Sequence, residues 1–105
     1  MDSERLKDER AGEAAADPDR LLPGEDPSTP YPDEARKWVE VYDELLRFKN
    51  RLLDVAEETL SEMQDKPARR EVVETDRTVL RAEVDRFHRR LSYWQQRLAE
   101  LQNER

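Results

Sequence analysis

The chain has no cysteine, one histidine and only two glycines in 105 residues. Without thiols there is neither a disulfide nor a thiolate metal site, and the redox compartment leaves no trace. His88 stands alone in DRFHRRL, with no cysteine and no carboxylate cluster to complete a metal site. No nucleophile sits at a recognisable spacing from it. Gly12 and Gly24 are isolated, so no Gly-rich loop exists to cradle a phosphate. No stretch approaches the roughly 18 apolar residues of a membrane span. The charged start MDSERLKDERAGEAAADPD lacks the apolar centre of a secretory signal. The carboxylates of EVYDE and DVAEE are those that long helices place in water by default, and no pocket is implied around them. The expectation is a non-enzymatic cytoplasmic protein. It calls for no catalytic residue, cofactor, metal, small-molecule substrate or membrane partner.

What is present is charge. Charged residues make up 43% of the chain and aromatic residues 7%. That balance suits long exposed helices or a disordered segment better than a large core, and a chain this short often closes its core by oligomerising. The net charge of −7 argues against general affinity for nucleic acid, which rests on neutralising phosphates.

Composition divides the chain into three. Residues 1–32 carry five of the six prolines, both glycines, and nine acidic against four basic residues. They read as a disordered acidic tail, too poor in apolar residues to offset chain entropy. The tail is expected to be free for a further protein, with Leu21 and Leu22 as its one apolar pair. Residues 33–65 read as a long helix, with Asp33 as its N-cap and Glu34 suited to its first turn. A turn at 65–67 follows. Residues 67–104 read as a second long helix, opened by Pro67, whose missing N–H costs nothing there.

Both helices carry heptad seams. On the first, Trp38, Val41, Leu45, Phe48, Leu52, Val55 and Thr59 alternate spacings of three and four, as a coiled-coil seam requires. On the second, Val73, Arg77, Leu80, Val84, Phe87, Leu91, Trp94, Leu98 and Leu101 do the same. Folding the chain back at Lys66 sets Trp38 level with Trp94, Val41 with Leu91, Leu45 with Phe87 and Leu52 with Leu80. The first helix has apolar residues left over: Val39, Tyr42, Leu46, Leu53, Ala56, Leu60 and Met63, interrupted by Lys49. These form a second seam about 100° around the helix. The hairpin supplies one neighbour, so the second seam calls for another. The fold expected is therefore all-α: a long antiparallel two-helix coiled-coil hairpin that dimerises through this seam into a four-helix bundle. A foreign partner helix is one alternative occupant; the tail folding back through Leu21 and Leu22 is another, though two leucines cannot cover the eight positions of the seam.

The function expected is that of a small adaptor or regulatory module that binds protein. One feature points elsewhere. RFHRRLSYWQQR sets Arg86, Arg89, Arg90 and Arg97 beside Tyr93 and Trp94, the mixture of cations and aromatics that grips nucleic acid. The alternative expectation is thus a regulatory subunit that touches nucleic acid through the second helix. Acidic neighbours on the first helix argue against it.

Overall fold

The computed structural model describes residue 17 and residues 19–103. Residues 1–16, half of the acidic tail, lie outside the described residues. Two long helices make the frame: α1, Pro32–Glu62, and α2, Pro67–Asn103. There is no strand among the described residues, and no helix among them is long and apolar enough to cross a membrane.

The helix ends follow from local chemistry. Pro32 occupies the first position of α1, where its fixed φ fits and its missing N–H is no loss. The N-cap is therefore Tyr31, in extended backbone, and not Asp33 as expected. Asp33 and Glu34 lie in the first turn, favourable to the helix dipole. The Asp33 carboxylate accepts from Arg36 at 2.8 Å. The helix closes at Glu62, three residues short of the expected end. Met63 N–H donates to the Leu60 carbonyl at 3.2 Å, tightening the last turn. The Arg70 guanidinium donates to the same carbonyl from α2 at 3.3 Å. A carbonyl at the helix end thus finds one donor in the cap and one across the turn.

The helices run antiparallel, with Lys66 at the apex. Trp38 stacks on Trp94 with ring centroids 6.4 Å apart, and Lys49 pairs with Glu83 at 3.0 Å. Both are the pairs that folding back at Lys66 brings level.

The rotation of α1 about its own axis differs from expectation. Its buried residues are Ala35, Trp38, Tyr42, Leu46, Ala56 and Leu60. Of the seam assigned to the hairpin, only Trp38 is buried; Phe48, Leu52 and Val55 are exposed. The helix is turned by about a quarter turn relative to the expected face, at roughly 100° per residue. Both faces are apolar, so burial against α2 does not by itself choose between them. Polar pairing does. Tyr42 must find a partner for its hydroxyl when buried, and it donates to Glu25. Lys49, which interrupts the chosen face, reaches Glu83 on α2 with both side chains mostly covered.

The tail expectation also needs correcting. The part nearest α1 forms an ordered strap that packs on the hairpin. Pro23 and Gly24 make a turn in which Glu25 N–H donates to the Leu22 carbonyl at 3.0 Å. Gly24 has φ +83°. That is the third-position geometry of a type II turn, where a side chain is disfavoured. At the next turn the Asp26 side chain accepts from the Ser28 N–H and from the Ser28 hydroxyl, both at 3.0 Å, the local bonding that favours Asp in turns. These two turns aim Glu25 and Thr29 inward, and both are buried.

Candidate functional site

Two places stand out: the clasp where the strap meets the helices, and an apolar face that nothing covers. The clasp is centred on Glu25, whose side chain is entirely buried. One carboxylate oxygen accepts from the Leu22 N–H at 2.9 Å and from the Tyr42 hydroxyl. The other accepts from Trp94 Nε1 at 2.7 Å and from Arg90, through Nη2 at 2.6 Å and Nε at 3.1 Å. Tyr93 donates to the Pro27 carbonyl at 2.5 Å and Arg97 to the Thr29 carbonyl at 3.1 Å, extending the seam of contacts along α2.

The electrostatics match this geometry. Burial pushes Glu25 upward. The hydrogen bonds from Tyr42, the Leu22 N–H, Arg90 and Trp94 outweigh it, so the carboxyl titrates below its ordinary value, as donors to a charged form require. Burial, and then the adjacent Glu25 carboxylate, push the Tyr42 phenol up to about 12. Glu25 is therefore ionised, and its acceptor positions are filled by donors from the chain itself. Such a carboxylate has no free lone pair for a substrate proton. The clasp ties the strap to both helices. Around it Tyr42 meets Phe87 at 5.8 Å and Tyr93 meets Trp94 edge-on at 5.3 Å. Aromatic area and a buried ion pair thus share one core.

Sequence reasoning missed Glu25. The signal within reach was Pro23–Gly24, a turn dipeptide that re-aims the chain and is at odds with an unstructured tail. Leu22 packs against the core while Leu21 is largely exposed, so the apolar pair is only half available to another protein.

The structure splits the arginine group. Arg86 is buried with its guanidinium 4.8 Å from the Phe87 ring. Burial, with Arg20 nearby, lowers its pKa. Arg90 is clasped on Glu25, and Arg97 is engaged with Thr29 and Glu100. Of the four only Arg89 is exposed, so they present no common cationic surface. Among the described residues no group of three His, Cys, Asp or Glu side chains is placed to hold a metal.

The second seam of α1, expected to meet a partner, is largely used within the chain. Tyr42, Leu46, Ala56 and Leu60 are buried, Val39, Leu53 and Met63 half-buried, and Lys49 is paired with Glu83. The uncovered face is the other one. Phe48 is 52% exposed, Leu52 40%, Val55 58% and Val72 62%. Leu52, Val55, Val72, Val73, Val79 and Leu80 line a groove of about 730 Å³ between the helices at the turn end. A smaller hollow along α1 adjoins it, formed by Val41, Glu44, Leu45, Phe48 and Arg51. The chain has no significant match among protein-family models, curated proteins or solved structures.

Proposed function

We propose that this chain is a non-enzymatic interaction module that pairs with a second copy of itself through the open face of α1 and α2, forming a four-helix bundle. The observation that carries the reading is the apolar stripe of α1, exposed at Phe48, Leu52 and Val55 and half-buried against the core at Val41 and Leu45, with exposed Val72 across the groove. Large apolar side chains exposed side by side along one helix face are the kind of surface that a partner helix covers.

The elongated shape leaves a second layer to be supplied. The molecule spans 60 × 30 × 14 Å, and its radius of gyration is 17.1 Å. A compact domain of this length has a radius near ~13 Å. Domains are built from at least two packed layers, and the turn half of this hairpin has one. A second hairpin laid on the stripe supplies the missing layer in the geometry of a coiled-coil bundle.

Light scattering after size exclusion tests this. The intact chain is expected to elute as a dimer. Leu52→Glu places a charge in the centre of the stripe without touching the buried core, so that variant is expected to be monomeric with its helical circular dichroism retained. A monomeric intact chain at tens of micromolar contradicts the reading.

A further inference from the structure

We infer that the two copies dock with their α1 helices antiparallel and Phe48 on the twofold axis, so that Glu44 of each copy faces Arg51 of the other. The inference rests on the self-association proposed above and adds its orientation and its polar contacts. Three observations lead to it.

The first is the spacing of the stripe. Val41, Leu45, Phe48, Leu52 and Val55 are spaced four, three, four and three. Reversed about Phe48, the stripe meets itself closely: Val41 comes level with Val55 of the second copy, and Leu45 falls one residue from its Leu52. A surface that contacts its own copy across a twofold must be self-complementary in this way.

The second is charge. Glu44 and Arg51 flank Phe48 on the same side of the stripe and line the same hollow. Neither makes an ion pair among the described residues; Arg51 only lies 5.9 Å from the Phe48 ring. Antiparallel helices bring matching flanks together, so each Glu44 meets an Arg51, twice by symmetry. Lys37 and Glu58 lie further out on that flank, and the same register brings them within one residue of level. Lys37 is engaged only with the Trp38 ring, at 5.1 Å.

The third is what occupies the opposite flank. Parallel docking would join one flank of α1 to the other flank of its copy. That other flank carries Tyr42 and Ala56, which are buried within the chain, and Lys49, which is paired with Glu83. It is committed to α2, so a parallel pair would find it blocked.

The chain's lack of cysteine makes a direct test clean. Val41 and Val55 lie about 21 Å apart along α1 at roughly 1.5 Å per residue, while a disulfide needs α-carbons within roughly 7 Å. Under mild oxidation Val41→Cys alone is expected to form no covalent dimer. Val41→Cys mixed with Val55→Cys is expected to form one. A dimer in which Val41→Cys links to itself overturns the orientation and leaves self-association standing. A dimer in which neither experiment gives a link removes the stripe from the interface. A monomer overturns the underlying reading itself. A charge reversal adds a second measurement. Glu44→Arg and Arg51→Glu are each expected to weaken the dimer roughly tenfold, and the double reversal to restore it. Losses that simply add in the double variant overturn the pairing.

Discussion

The two ends of this hairpin use the same two helices in the same register, yet they end differently. At the strapped end Ala35, Trp38, Tyr42, Leu46, Val84, Phe87, Trp94 and Leu101 are packed into one core. At the turn end α1 and α2 bury only Ala56 and Leu60. The polar contacts differ in the same sense. Glu25, fully buried, pairs with half-buried Arg90 at 2.6 Å. Glu57 and Arg81 pair at 2.9 Å on the surface, where an ion pair is worth about 0–1 kcal/mol. The difference teaches that two helices alone do not enclose a core. A third piece of chain is needed, and the strap supplies it at one end only. The far end is left with the surface assigned above to a second copy.

The comparison can be broken in order of expected effect. Trp94→Ala should cost about 3–5 kcal/mol, because it empties the centre of the strapped core and removes a donor to Glu25. Leu52→Ala on the open face should cost about 1 kcal/mol or less in the monomer. Urea unfolding followed by circular dichroism, at concentrations below association, measures both. Equal losses would erase the distinction between the ends.

Glu25→Ala comes next. It leaves the half-buried Arg90 guanidinium without its carboxylate, a change that costs up to about 3 kcal/mol where buried pairs are broken. A strap that merely rested on the helices would cost almost nothing to disturb. The same residue sets a pH dependence. Its folded pKa lies below the ordinary value of 4.5. Its contribution is therefore fully present above that value and is lost as pH falls through the lowered folded value. Glu25→Gln should flatten the acid side of the stability curve. An unchanged acid slope would show that other carboxylates carry it.

Gly24→Ala comes last, with an expected cost of about 1 kcal/mol. A new Cβ there meets open space. The cost comes only from holding a side chain at φ +83°. Thermal unfolding checks it, and a loss as large as that of Glu25→Ala would mean that the turn does more than re-aim the chain.

Much of the frame was legible in the sequence. The seam on α2 is met by the buried Val84, Phe87, Trp94 and Leu101, and the level of the two helices is met by the Trp38–Trp94 stack. Both depend on periodicity and on one turn, which are local. The face that α1 turns inward was not legible, because both its faces are apolar at helical spacing. The choice lies in contacts that periodicity does not carry: Glu25 with Tyr42 and Trp94, far apart along the chain, and Lys49 with Glu83. Lys49 reads as a flaw in a seam and is in fact a tie between the helices. The strap was hidden for a related reason. Its composition is that of a tail, and its order comes from a single buried carboxylate and two Pro-containing turns, not from an apolar run. Three of the four arginines, Arg86, Arg90 and Arg97, likewise fold back on the strap and the core, while Arg89 is exposed.

The most direct measurement is thermal unfolding of the intact chain and of Leu52→Glu over a hundredfold range of protein concentration. If the open end is closed by a second copy, association adds to stability by mass action. The midpoint of the intact chain should then rise steadily with concentration, while that of Leu52→Glu stays fixed at the low-concentration value. A midpoint of the intact chain that does not move would contradict the assignment of the open face to a second copy.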